Sequence, residues 1–206
     1  MRWVIAWLGL CGAALAEGEQ AGDFDYYVLS LSWQPTWCAL EGAARGAEEC
    51  TGGQGFVLHG LWPQYERGWP SYCTTMERDP PRRQTEAMAD VMAPGLAWHQ
   101  WKKHGRCSGL PAADYFSLMR EAAERVALPE VFDRLRQDLA LPASVVEDAF
   151  REANPGLRRD AITVTCKEGR IQEARICLTP DLDFRDCGAD AARDCRLTDA
   201  VIDGVR

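Results

Sequence analysis

Nine cysteines, at positions 11, 38, 50, 73, 107, 166, 177, 187 and 195, constrain what this chain can fold into more than any other feature. None stands in a C-x-x-C pair, the usual opening of a zinc or dithiol site. The first lies in MRWVIAWLGLCGAALA, residues 1–16, which has one positive charge at Arg2, an apolar run from Trp3 to Leu10 and small residues ending in Ala14, Leu15 and Ala16. That order reads as a secretory signal with an A-x-A cleavage site. Glu17 to Gln20 end the apolar run short of the ~20 residues a membrane span needs. Removal of residues 1–16 leaves eight cysteines, an even number that an exported chain closes as up to four disulfides. The expected layout is a signal peptide at 1–16 and one domain at 17–206, carried to a periplasm or the medium, with no membrane segment in the mature form.

A length of 206 residues is enough for one domain with a real core. Beyond residue 16 the chain carries 31 acids against 22 bases, so bulk electrostatics are unsuited to holding nucleic acid, although a local basic cleft is compatible with that balance.

Tyr26 to Trp33 (YYVLSLSW) alternates with Tyr27, Leu29, Leu31 and Trp33 on one face, which predicts a strand. Phe56 to Trp62 (FVLHGLW) is apolar on both sides of His59, the pattern of a central strand, and Pro63 is expected to stop it. The Gly- and Glu-rich stretch between them, from Ala39 to Gly55, reads as a loop pinched by Cys38 and Cys50. Spacing predicts an exposed loop over Met76–Gln84 and helices over Thr85–Met92, from Ala97 or Trp98 onward, over Ala112–Leu128, Glu130–Leu139 and Val145–Ala153. Ser144 and Glu147 have the spacing of a capping box for the last of these. Ile162–Cys166 and Arg170–Leu178 alternate around Lys167, Glu168 and Gly169, a hairpin expected to bring Cys166 and Cys177 into bridging range. Seven Asp between Asp181 and Asp203 mark a surface tail closed by Cys187 and Cys195. The predicted fold class is α+β: a single domain with a central antiparallel sheet, helices packed on it, and disulfide staples.

Chemistry concentrates around the three histidines, His59, His99 and His104. Leu96 to Gly109 (LAWHQWKKHGRCSG) holds two of them with Lys102, Lys103 and Arg106 and no acid, the most basic window of an acidic chain. On a helix Gln100 and His104 share one face, and His99 and Lys103 share another. His99 and His104, five apart, do not have the i,i+4 spacing of a two-His zinc site. His59 stands alone in an apolar strand, a setting that more often holds a core residue than a catalyst. Two imidazoles across a phosphate divide the work of base and acid, since reference pKa values near ~6.5 let one neutral and one protonated ring coexist in mild acid.

FVLHGLWPQ (Phe56 to Gln64) followed by HQWKKHGRCSG (His99 to Gly109) resembles the paired signature of the ribonuclease T2 family of secreted endoribonucleases. The resemblance extends to FDYYVLSLSWQPTWC and CKEGRIQEARIC, and so over nearly all of the chain beyond residue 16. It implies cleavage of single-stranded RNA, without metal or other cofactor, by attack of the 2′-hydroxyl on its own phosphate to give a 2′,3′-cyclic phosphate. It assigns His104 as the base and His59 as the acid. It gives His99 a phosphate contact, Lys103 charge stabilisation and Trp62 a base-stacking platform. Tyr65, Trp69 and Tyr72 are candidates to extend the platform, and Gln34 is a weaker base-site candidate. By the same analogy Cys73 pairs with Cys107, and the protein acts as a monomer on RNA.

The chain departs from the family at three positions. Gln100 stands where the family usually has a catalytic Glu; an amide donates a hydrogen bond to a phosphate oxygen but transfers no proton. Gln64 stands where many members carry an Asp linked to base preference. Arg106 replaces a usual Thr and is expected to add positive charge near the cleft. Gln100 is also what favours the alternative reading, a catalytically weak relative acting as a secreted RNA-binding or interaction protein.

Overall fold

The alternation of YYVLSLSW builds β1 (Tyr26–Trp33) in a computed structural model that describes residues 19–206. The signal peptide expected at 1–16 lies outside the described residues. Tyr27, Leu29, Leu31 and Trp33 enter the main apolar core, and Val28, Ser30 and Ser32 take the opposite face, as a period of two requires. A short helix, α1 (Gln34–Trp37), runs on into helical turns over Cys38–Gly42, Ala43–Arg45 and Glu48–Thr51 where a loop was expected, and this stretch, closed by Cys38–Cys50, leads to β2 (Phe56–Gln64). β2 pairs antiparallel with β1 and forms one edge of the sheet, where its apolar composition had predicted a central position. An edge strand tolerates a proline because no neighbour needs its missing N–H, so β2 runs through Pro63 instead of stopping there.

The helical middle comprises α2 (Arg82–Glu86), α3 (Pro94–Lys103), α4 (Ala112–Glu124), α5 (Glu130–Asp133) and, after β3 (Leu139–Leu141), α6 (Ala143–Ala153). α3 starts at Pro94, ahead of the expected Ala97 or Trp98, α4 ends at Glu124 and not at Leu128, and the other three differ further from what their spacing predicts. α2 begins directly after Pro81, whose extended backbone opens the helix, and only isolated turns follow Glu86. α5 ends at Asp133 because Leu139–Leu141 pair with the last strand; a long-range ladder wins over local helical spacing. α6 starts after Pro142 without a side-chain cap: Glu147 turns inward and its carboxylate accepts the Val164 N–H at 3.4 Å, so the capping box does not form.

β4 (Ile162–Lys167) and β5 (Arg170–Leu178) form the predicted hairpin, and β6 (Ala200–Ile202) completes the sheet. β5 pairs antiparallel with both β1 and β4, and β6 meets it in parallel at Arg170 and Val201 while pairing antiparallel with β3. The Asp-rich tail is therefore not only surface: Ala200, Ile202 and Val205 are buried.

The four bridges are Cys38–Cys50, Cys73–Cys107, Cys166–Cys195 and Cys177–Cys187. The last two overturn the expected Cys166–Cys177 and Cys187–Cys195. In the hairpin Cys166 faces Ile171, close to the turn, while Cys177 lies six residues farther along β5. At ~3.4 Å per residue that is far beyond the ~4.4–6.8 Å Cα separation a disulfide allows. Each cysteine instead takes the tail residue that passes it.

Candidate active site

The pairing of β1 with β2 slips once: Ser30 faces Gly60 and Leu31 faces Leu58, so His59 is the extra residue of a β-bulge. Leu58 and Leu61, three positions apart, both reach the core, which an unbroken alternation forbids. The bulge turns the His59 ring away from them, onto the face that carries Trp62 and Gln64.

Ser30 and Ser32 lie beside it on β1, opposite Arg175 and Glu173 of β5. Two strand spacings, about 9–10 Å, separate β2 from β5. The serines are short enough for His59 to reach across β1, and its Nδ1 lies 2.6 Å from Glu173 Oε1. Arg175 holds the other carboxylate oxygen with Nε at 2.9 Å and Nη2 at 2.6 Å. Burial pushes the Glu173 carboxyl up, but the His59 hydrogen bond and the charges of His59 and Arg175 outweigh it and hold the group at about 2. An ionised carboxylate only accepts, so Nδ1 carries the proton of this bond and Nε2 is left for the cleft.

α3 supplies the opposing wall. Pro94 sits in its first turn, where a missing N–H costs nothing, and the helix packs against β2. Gln100 is buried and accepts the Trp62 indole N–H through Oε1 at 2.8 Å. The indole is a pure donor, so the amide orientation is set and its NH2 group is the end left for a ligand. Gly60 makes this approach possible: a Cβ there would lie 2.1 Å from Gln100 Oε1.

His104 caps the C-terminus of α3, stacks on Trp62 with ring centroids 5.1 Å apart, and is 5% exposed. Its buried Nδ1 has no partner among the described residues. Burial first, then the charges of Lys103, His59 and His99, depress it to about 3, so the ring is neutral over the physiological range. The more open His99 is lowered in the same direction by burial, Lys103 and His59. Among the described residues Lys103 has no carboxylate partner, whereas Asp79 takes Lys102, Arg106 and the Trp101 indole. Arg106 is thus neutralised by Asp79 and is not a cleft residue, contrary to the expectation from its sequence position.

His59, Trp62, His99, Gln100, Lys103 and His104 meet around one cleft of about 350 Å³. Trp62 touches both catalytic candidates, His104 by stacking and His59 edge-on at 5.2 Å, and Arg175 lies over the same indole at 5.2 Å. The more open aromatic of the cleft is Trp69, 52% exposed. Tyr65 and Gln34 do not join them: Gln34 lines a separate cavity of about 270 Å³ beside Cys38–Cys50, which contains no histidine. Sequence reasoning missed Glu173 and Arg175. Their only signal was an acid and a base two apart in an otherwise half-apolar strand, RIQEARICL.

Fold and site together define a disulfide-stapled α+β protein whose cleft gathers three imidazoles and a lysine that has no carboxylate partner among the described residues. The chain belongs to the ribonuclease T2 family, whose model matches residues 24–187. A ribonuclease of Aeromonas hydrophila is 42% identical over 191 residues, covering 88% of this chain and 86% of the relative. Among solved structures, an RNase-related protein from Calystegia sepium superposes with a TM-score of 0.65 at 20% identity, over 89% of this chain and 97% of that one. RNase NT in complex with 5′-AMP superposes with a TM-score of 0.62 at 22% identity, over 88% and 98%. These two likenesses bear on the fold; family membership supports an endoribonuclease.

Proposed function

We propose that this cleft cleaves single-stranded RNA by transesterification. Neutral His104 takes the proton of the 2′-hydroxyl, the 2′-oxygen bonds to phosphorus, the bond from phosphorus to the 5′-oxygen breaks, and protonated His59 gives that oxygen its proton. The products are a 2′,3′-cyclic phosphate and a 5′-hydroxyl. Lys103 and His99 face the charge on the non-bridging oxygens, and the Gln100 NH2 donates to one of them. A base stacks on the aromatic side of the cleft, at Trp62 or Trp69. The observation that carries this reading is the contrast between two rings: His104 is buried beside cations and held neutral, while His59 is bonded to an ionised carboxylate. A ring held neutral is fit to take a proton, and a ring whose Nδ1–H is engaged by a carboxylate turns its Nε2 to the leaving oxygen. The reading extends to residues 17–206 acting as an exported monomer after removal of 1–16.

The test is cleavage of a mixed-sequence RNA by the oxidised protein in EDTA from pH 4 to 8, with product ends analysed. Cyclic phosphate ends are expected, and His59→Ala is expected to lower turnover by roughly 10²–10⁴-fold while RNA binding persists. A second reading, RNA binding without turnover, is favoured only by Gln100; it predicts intact RNA throughout and no turnover for His59→Ala to lose.

A further inference from the structure

Glu173 and Arg175 stand in CKEGRIQEARIC, outside the two motifs that carry the histidines, and both line the cleft. Glu173 is 3% exposed in a sheet, a position a carboxylate occupies only when its charge is compensated. Its two oxygens are divided. Oε1 meets His59 Nδ1 at 2.6 Å and lies 3.5 Å from the Ser32 hydroxyl, and Oε2 takes both Arg175 donors. The groups facing His59 are Glu173 and Arg175 from β5 and His99, Lys103 and His104 from α3 and its cap. β1 between them contributes only Ser30 and Ser32. Among the described residues Glu173 is the carboxylate bonded to His59, Asp190 at the same cleft being taken by the Gly68 N–H and Arg193, and Arg175 decides which way Glu173 can turn.

We propose that Glu173, pinned by Arg175, is the positioning residue that fixes the tautomer of His59, keeping the proton on Nδ1 so that Nε2 is the nitrogen presented to the leaving oxygen. The proposal rests on the reading of His59 as the acid. It makes a specific claim about the amide isostere. In Glu173→Gln the two Arg175 donors require an oxygen at the Oε2 position, which forces the NH2 group into the place of Oε1. That group donates to Nδ1, so the neutral ring must carry its proton on Nε2, and a doubly protonated ring is opposed. The side chain keeps its shape and its number of hydrogen bonds while the acid is held in the wrong form.

The experiment reads the imidazole nitrogens of the oxidised protein by long-range proton–nitrogen NMR without RNA, the three His giving few signals and His59 assigned by its loss in His59→Ala. In the wild type, neutral His59 is expected to carry its proton on Nδ1. In Glu173→Gln it is expected to carry it on Nε2, with kcat lowered roughly 100-fold or more and KM for RNA within about threefold. Adding Arg175→Met to Glu173→Gln frees the amide to turn its oxygen toward Nδ1, and both the Nδ1–H tautomer and part of kcat are expected to return relative to Glu173→Gln. A wild-type ring protonated on Nε2 overturns the proposal whether or not the variant folds. So does a folded Glu173→Gln protein that keeps Nδ1–H and wild-type kcat. Because the spectra need no substrate, absence of RNA cleavage by the wild type would defeat the ribonuclease reading and leave the tautomer result standing.

Discussion

At the scale of single residues, the site depends on two side chains, His104 and Gln100, and the fold displaces the titration of the first from its ordinary range. His104 stays neutral in the folded chain down to about pH 3, while the unfolded chain takes up that proton near its ordinary value of 6.5. Between those values the unfolded state binds the extra proton, so this residue makes stability fall as pH drops through the window. Glu173 adds the same sign lower down: its contribution is present above the ordinary 4.5 and is lost as pH falls toward about 2. His104→Phe removes the first effect and the base together. Calorimetry from pH 7 to 4 should show a smaller decline in Tm for this variant than for wild type, in a protein that no longer cleaves RNA; equal declines refute the assignment. Gln100 is the other case. Gln100→Glu keeps an acceptor for the Trp62 indole and adds a transferable proton, so its rate at pH 4–5 relative to pH 7 should rise above the wild-type ratio. A pH–rate profile unchanged by the substitution would count against the role given to the amide.

At the scale of elements, the cleft exists because β2 is an edge strand with one bulge and one glycine. The bulge brings His59 to the face of Trp62, and Gly60 lets α3 close on the strand until Gln100 and the indole meet. A methyl group at 60 would lie 2.1 Å from Gln100 Oε1 and 2.6 Å from Trp62 Nε1. Those are side-chain atoms of the cleft wall, so they must shift while the core beneath is spared. Gly60→Ala is therefore expected to slow cleavage by roughly 10–100-fold, as displacements near 1 Å do in organised sites. Its Tm should move by only a few degrees. Wild-type rates in a folded Gly60→Ala protein would show that the fit of α3 on β2 is unimportant.

At the scale of the whole molecule, two motifs must stay in register for the imidazole of His59 on a sheet to face that of His104 at a helix end, 45 residues farther along the chain. Cys73–Cys107 ties the chain after β2 to the turn after His104, and Cys38–Cys50 sits beside the other cavity. Removing either bridge is expected to cost about 2–5 kcal/mol, somewhat more for the longer loop. Only the Cys73→Ser/Cys107→Ser pair should lose cleavage under conditions where both variants remain folded; Cys38→Ser/Cys50→Ser should retain kcat. Denaturant unfolding and initial rates on the same samples check this, and equal activity losses would remove the functional distinction. Four disulfides suit an oxidising compartment, and among the described residues no helix is long and apolar enough to cross a membrane.

What was legible in the sequence is what short-range periodicity encodes. YYVLSLSW and the β4–β5 hairpin fall where alternation puts them, the fold class follows from their order, and the basic helix with His99, Gln100 and Lys103 is evident from composition and spacing. What only the tertiary structure decided are choices among distant partners. They are the edge position of β2, the strand at Leu139–Leu141, the exchange of partners among the last four cysteines, and the Glu173–Arg175 pair beneath His59. Local spacing has no access to these, because a one-residue slip of register turns a side chain to the other face of a sheet. At the bulge such a slip separates a buried core histidine from one that opens into a cleft, and it is specified by the pairing with β1 and not by FVLHGLW itself.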